Sequence, residues 1–223
     1  MTQKHLIIDF DSTLVEVEAL DELARLALAR RADADVIVAE IARITELGME
    51  GKLPIDESLR RRLHLLDAGS ADVDAVVAVL KRRISASFRT NAAFFERNRE
   101  RIYVISNGFK DYIVPVVAEL SISAACVFAN TFVYDADNRI VGYDAQNPLA
   151  QAGGKSKQLL VLNLSGEVYI IGDGYTDFQM TETGRVTKFI AYTGNVDRPR
   201  VTEKADHVVR NFDEFIGLGY FDD

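Results

Sequence analysis

The sequence predicts an α/β fold, a doubly wound parallel sheet with a small helical cap inserted after the first strand. Short continuous runs such as Leu6-Ile7-Ile8, Ile102-Tyr103-Val104-Ile105 and Val168-Tyr169-Ile170-Ile171 have the pattern of strands buried on both faces. From Thr90 onward such runs alternate with segments of helical periodicity, the βα repeat of a parallel sheet. Between Leu14 and about Phe88 the apolar residues recur at helical spacing with no strand among them, which supplies the cap.

The first strand leads into cap helices predicted over 18–31, 35–47, 55–67 and 71–86. Pro54 suits a first helical turn that also carries Asp56 and Glu57, and Ser70 suits the N-cap of the last helix. The core is thus expected in residues 1–14 and 87–223, and the cap in 15–86. Within the core, helices over 90–98, 109–120, 155–163, 175–182, 197–204 and 211–217 alternate with strands near 101, 125, 168, 187 and 207. Phe132-Val133-Tyr134, the turn Asp135-Ala136-Asp137-Asn138 and Ile140-Val141-Gly142-Tyr143 predict a hairpin at the sheet margin.

Composition restricts the possible roles. A chain of 223 residues can bury about 70% of its unfolded surface without a stabilising staple. No stretch approaches the roughly 18 uninterrupted apolar residues of a membrane span, and Met1-Thr2-Gln3-Lys4-His5 runs straight into a strand without a leader-like apolar region. The cytoplasm is the expected compartment. Cys126 is the only cysteine and lies in an apolar run, so a buried inert thiol is expected and an intrachain disulfide is excluded. The sequon Asn163-Leu164-Ser165 is accordingly expected to stay unglycosylated. The net charge of −8 opposes general affinity for nucleic acid or anionic lipid, both of which need clustered Lys and Arg. The expected partner is a small molecule; oligomeric state has no signature here.

Each of the three named strands ends at, or just before, an acid or hydroxyl: Asp9, Ser106 and Asp173. Ligands of parallel sheets bind beyond the strands' carboxyl ends, so these groups should converge. Asp9 and Asp11, two apart at a strand end, leave on the same side. Asp173 and Asp177 follow the third strand in Gly172-Asp173-Gly174-Tyr175-Thr176-Asp177, where glycine permits a tight turn. Four acids gathered in one place repel unless a hard divalent cation sits among their oxygens, and Mg²⁺ takes carboxylates, water and substrate phosphate. Lys155, behind Gly153-Gly154, opens a helix and can reach a phosphate oxygen. Alone, Asp-x-Asp is a common solvated turn and Lys155 an ordinary surface lysine; their co-occurrence gives them weight. A nucleotide-binding P-loop would need glycine where Leu149 stands, and a dinucleotide fingerprint would need one where Asp177 stands. His5, His64 and His207 fall in no hydrolase motif with serine or cysteine.

Taken in order, Asp9-x-Asp11-Ser12-Thr13, Ser106-Asn107-Gly108, Lys155 and Gly172-Asp173-Gly174-x-x-Asp177 resemble the four motifs of haloacid dehalogenase (HAD) superfamily phosphatases. Asp9 through Val15 with Glu18 and Leu20-Asp21-Glu22, Met49-Glu50-Gly51-Lys52-Leu53, and Ser58-Leu59-Arg60-Arg61-Arg62 are similar to the phosphoserine phosphatases of that superfamily over almost the whole chain. Thr193-Gly194-Asn195-Val196 resembles a turn late in their core. The resemblance implies a Rossmann-like HAD core and Mg²⁺-dependent hydrolysis of O-phospho-L-serine through an aspartyl phosphate, a reaction of L-serine biosynthesis. It implies Asp9 as nucleophile and Asp11 as acid and then base. Mg²⁺ would be held by Asp9, the Asp11 backbone carbonyl and Asp173, with Asp177 ordering the site. Ser106, Asn107 and Lys155 would hold the phosphoryl group, with Gly108 and Thr176 completing the substrate-binding set. Glu18 would meet the substrate ammonium and Arg62 its carboxylate, while Met49 and Ile55 help the cap exclude water.

Helix geometry supports Arg62 independently: it lies beside Leu59 and Leu66 on the apolar stripe, whereas Arg60 and Arg61 point elsewhere. The plainer alternatives are an arginine whose stem covers apolar surface and, for Glu18, one member of an ordinary acidic helix start. Asn107 stands where glycine is frequent in the family, and Ile55 where some members are aromatic. These departures leave open homoserine phosphate or another small phosphate, and phosphoryl transfer to homoserine. A binding module without turnover is a reading from a different class, against which the presence of both Asp9 and Asp11 stands.

Overall fold

Strand β1 (Lys4–Ile8) lies at the centre of the molecule because its apolar residues are shielded on both faces: Leu6, Ile7 and Ile8 are fully buried. The structure, a computed structural model, describes residues 3–221. β1 pairs in parallel with β2 (Ile102–Phe109) on one side and β6 (Glu167–Gly172) on the other. With β3 (Val127–Asn130), β7 (Lys188–Tyr192) and β8 (His207–Val209), the six-stranded order is β3-β2-β1-β6-β7-β8. The two-residue period divides the core. Leu6, Ile8, Val104 and Ile171 pack on one face, and Ile7, Ile105, Val168 and Ile170 on the other. The chain winds outward from β1 to β3 and then restarts beside β1 at β6, so the reversal of winding lies between the strands that carry Asp9 and Asp173.

Between β1 and β2 the chain makes a helical excursion: α1 (Ala19–Leu28), α2 (Ala34–Met49), α3 (Ile55–Leu65) and α4 (Ser70–Arg82). Its entry and exit are clasped together by an antiparallel bridge between Val15 and Ile84, with Ser85 N–H donating to the Leu14 carbonyl at 3.0 Å. That pairing draws the chain out of helix after Arg82, which is why α4 stops short of the expected residue 86. Gly69, not Ser70, is its N-cap, and the Gly69 N–H donates to Asp72 Oδ2 at 2.8 Å. Pro54 likewise occupies the N-cap of α3, with Asp56 and Glu57 in the turn that follows.

The helix expected over 90–98 is two short ones, α5 (Ala86–Thr90) and α6 (Ala92–Asn98), followed after β2 by α7 (Lys110–Val117). The hairpin β4 (Phe132–Tyr134) and β5 (Ile140–Tyr143) forms its own two-stranded sheet and does not extend the main one. Bonds from Ile140 N–H to Ala68 O and from Ser70 N–H to Asn138 O, at 2.9 and 3.0 Å, tie it to the start of α4 instead. Then come α8 (Gly154–Leu162), α9 (Tyr175–Gln179), α10 (Pro199–Thr202) and α11 (Phe212–Gly217). Phe212 of α11 stacks on Phe88 and Phe95, at 4.7 and 5.1 Å between ring centres, and seats the C-terminal helix against α5 and α6. Cys126 is half-buried instead of enclosed, because it closes a short turn at the sheet's outer strand. Among the described residues no helix is long and apolar enough to cross a membrane.

Candidate active site

The parallel register puts Ile8 level with Val104 on β2 and Ile171 on β6, so Asp9, Ser106 and Asp173, one or two residues past that level, share one rim, Ser106 still within β2. Asp9 N–H donates to the Ile171 carbonyl at 2.9 Å, which fixes the acid at the mouth of β6. The backbone then makes a wide turn in which Ser12 has φ 53°, a left-handed conformation uncommon for a residue with a Cβ. Contacts from other segments hold the turn. Asn195 donates to the carbonyls of Ser12, Thr13 and Val15, each at 3.2 Å. Ser12 Oγ donates to Glu18 Oε1 at 2.7 Å, and Ala19 N–H donates to Asp11 Oδ1 at 2.7 Å. The last two link the first acidic segment to the start of α1.

Carboxylate oxygens of Asp9, Asp173 and Asp177, all buried, lie within 4.8 Å of one another. Lys155 Nζ is 2.8 Å from Asp9 Oδ1 and 2.8 Å from Asp177 Oδ1. Burial alone would lower the lysine pKa, but the Asp177 and Asp9 carboxylates outweigh it and hold the ammonium charged. Asp177 is placed by Gly174 N–H, which donates to its Oδ2 at 3.1 Å, and by the absence of a side chain at Gly172, where a Cβ would stand 2.3 Å from Asp177 Cγ. Asp173 accepts from Thr13 Oγ1 at 2.6 Å and pairs with Arg198. Burial pushes Asp173 up to about 7, against the opposing pull of Arg198. The Asp11 carboxylate stands apart from this trio. Burial first, and then the Asp9 charge, push it up to about 7, and its Oδ2 is 3.4 Å from Ser106 Oγ.

Above the acids is a small cavity, in which a water centre has about 30 Å³ to move. Asp9, Asp11, Glu18, Met49, Ile55, Arg62, Ser106, Asn107, Gly108, Lys155 and Thr176 all line it, so residues as far apart as 9 and 176 meet at one place. Arg62 is 7% exposed and donates to Thr45 Oγ1 at 3.3 Å, whereas Arg60 and Arg61 face solvent. Glu18 is pushed up to about 8 by burial and by the Asp11 and Asp21 charges. Asn107 lines the wall, but its side-chain amide donates to the Leu149 carbonyl at 2.7 Å. That engagement gives the departure from glycine a structural use and occupies one of the two N–H groups of the amide.

The HAD family model, haloacid dehalogenase-like hydrolase, matches residues 6–182. The chain belongs to the haloacid dehalogenase-like hydrolases. It is 30% identical over 212 residues to the chloroplastic phosphoserine phosphatase of Arabidopsis thaliana, covering 93% of this chain and 69% of that one. A phosphoserine phosphohydrolase-like protein from Francisella tularensis superposes with a TM-score of 0.87 at 28% identity, covering 97% of this chain and 99% of that one. A substrate-bound phosphoserine phosphatase complex gives 0.78 at 26% identity, covering 98% and 99%. This hydrolase is a phosphatase.

Sequence reasoning missed several residues of the site. Arg198 bridges the molecule: besides Asp173, its Nη2 is 3.3 Å from Glu46 on α2 and 3.7 Å from Glu18. Its only sequence signal is its place just after the Gly194-Asn195 turn. Thr13 sits inside the first motif, and Tyr112 lies one helical turn past Gly108, where it reads as an ordinary core aromatic.

Proposed function

We propose that the enzyme hydrolyses O-phospho-L-serine to L-serine and phosphate, with Asp9 as the nucleophile. The observation that carries this reading is the placement of a buried arginine, Arg62, and a half-buried carboxylate, Glu18, in the same small cavity as Asp9 and Asp11. One end of the cavity suits a phosphoryl group beside Lys155 and Ser106. The other suits a zwitterion, its carboxylate on Arg62 and its ammonium on Glu18. The names of the relatives support the same substrate.

The Asp9 carboxylate attacks phosphorus in line with the ester oxygen; the new O–P bond forms as the serine O–P bond breaks. Asp11, whose pKa near 7 leaves it partly protonated at neutral pH, gives its proton to the departing serine oxygen. It then takes a proton from the water that attacks the aspartyl phosphate, releasing phosphate and restoring Asp9. Lys155 neutralises Asp9 and Asp177 and presents positive charge to the phosphoryl oxygens, with Ser106 Oγ as a further donor. The oxygen-only donor set of Asp9, Asp173 and Asp177 fits Mg²⁺ in kind and spacing, and the surplus of carboxylates over Lys155 and Arg198 leaves negative charge for a divalent cation to offset. Those three carboxylates, with the Asp11 backbone carbonyl, would hold it; Mg²⁺ when bound supplies electrostatic stabilisation of phosphoryl charge.

Phosphate release from L-phosphoserine, homoserine phosphate and other small phosphomonoesters, with Mg²⁺ and after EDTA treatment, tests the proposal. The expected result is Mg²⁺-dependent turnover with phosphoserine preferred. Preference for another ester would reject the substrate and keep the chemistry, and absence of turnover on all of them would reject the enzyme reading.

A further inference from the structure

The cavity contains a donor that the reaction above does not use. Tyr112, on α7, is fully buried, lines the cavity, and has a hydroxyl with no hydrogen-bond partner among the described residues. A Cβ on Gly108 would stand 2.9 Å from Tyr112 Oη, 3.0 Å from Asp11 Oδ2 and 3.1 Å from Ser106 Oγ, so these three groups ring the space that Gly108 leaves open. The Phe109 N–H lies close enough to favour the phenolate slightly, but an N–H can only donate, so the phenol's own hydrogen remains without an acceptor. Ser58 Oγ, one turn before Arg62 on α3, is a second buried hydroxyl without a partner on the same cavity.

Buried polar atoms are nearly always paired, and an unmatched one in a binding cavity indicates a partner that arrives with the ligand. Burial, and then the Asp11 charge, push the Tyr112 phenol well above its usual range, so it remains an O–H donor at neutral pH. A donor requires an acceptor, and the cavity's phosphoryl end is already served by Lys155 and Ser106. Asp11, Glu18 and Arg62, the groups assigned to the ester oxygen and to the substrate's zwitterionic head, line the same cavity as Tyr112. Of the acceptors there, the carboxylate beside Arg62 has the larger oxygen capacity and the full negative charge.

We infer that Tyr112 is a specificity-determining residue whose hydroxyl donates a hydrogen bond to the carboxylate of the bound substrate alongside Arg62. The inference rests on the proposed substrate. It makes the head group answer to a neutral, directional donor as well as a charge, and so favours a small carboxylate-bearing phosphomonoester over one that merely carries an ammonium.

Tyr112→Phe separates the possibilities. Without ligand the variant should melt about 2–4 °C higher than wild type, because an unmatched buried hydroxyl has been removed. Its KM for L-phosphoserine should rise roughly tenfold or more with kcat nearly constant, while both constants for phosphoethanolamine, which lacks the carboxylate, stay within about twofold. L-Serine binding, measured by calorimetry, should weaken by a similar factor. The wild-type enzyme reads the substrate assignment separately: no preference for phosphoserine over phosphoethanolamine would reject the proposed function itself. Given that preference, an unchanged KM in Tyr112→Phe overturns the inference. Equal loss of kcat on both esters also overturns it, since the hydroxyl would then serve Asp11. So does a lower melting temperature, which would mean the hydroxyl is already paired in the free protein.

Discussion

Asp9 and Asp11 are identical side chains two residues apart, and their surroundings divide the work between them. Asp9, the proposed nucleophile, faces the Lys155 ammonium at 2.8 Å. Asp11 has no such partner within salt-bridge distance among the described residues and is pushed up to about 7 by burial and the Asp9 charge, the range that suits a proton donor and acceptor at neutral pH. Asp9→Asn removes the proposed nucleophile at nearly constant volume, so phosphate release should fall by at least about 10³-fold with little change in the unfolding midpoint. Retained turnover would remove Asp9 from the mechanism. Arg62→Ala should lower kcat/KM for L-phosphoserine roughly a hundredfold or more while p-nitrophenyl phosphate, which has no carboxylate, changes by less than about threefold. Equal losses on both would make Arg62 a packing residue. Arg62 was legible in the sequence because helical spacing sets it on the buried stripe of α3. Arg198 was not, because its three acidic partners come from β1's exit loop, α2 and the end of β6, and no local pattern announces a meeting of distant segments.

At the scale of elements, strand ends bring the chemistry together and short turns aim it. The turn from β6 into α9 has no room for a side chain at Gly172, whose Cβ would fall 2.3 Å from Asp177 Cγ. Gly172→Ala should therefore displace Asp177 from Gly174 and Lys155, lowering stability by about 1–3 kcal/mol in denaturant titration and reducing phosphatase activity along with it. A variant with wild-type stability and turnover would mean the turn yields freely. Elements with strong periodicity, the central strands and α1 to α3, were legible because burial on both faces or along one stripe repeats in the sequence. The exit from α4 at Arg82 was not, since the decisive event is a bridge from Ile84 to Val15 far back in the chain. The hairpin was readable from its turn residues, but its attachment to Ala68 and Ser70, away from the sheet, depends on tertiary contacts alone.

For the whole molecule, the site concentrates acids in a fold that must bury them. Glu18 is pushed up to about 8 and Asp11 up to about 7, whereas unfolded carboxyls titrate near their ordinary value of about 4. The folded chain without metal or ligand therefore binds more protons than the unfolded chain between about pH 4 and pH 8, and its stability falls as pH rises through that window. EDTA-treated protein should melt higher at about pH 5.5 than at about pH 7.5, and Mg²⁺ should raise the melting temperature more at the higher pH, where it competes with fewer protons. A melting temperature of the metal-free protein that climbs over this interval would contradict the electrostatic description.

The proposed mechanism requires a phosphoryl group to pass from phosphoserine to Asp9. Acid-quenching the enzyme during turnover of L-phosphoserine with Mg²⁺, followed by peptide mass spectrometry, reads that step directly. The expected result is one phosphoryl group on the peptide carrying Asp9, lost in Asp9→Asn. A phosphoryl group on another residue, or turnover in which none is ever found on Asp9, would contradict it.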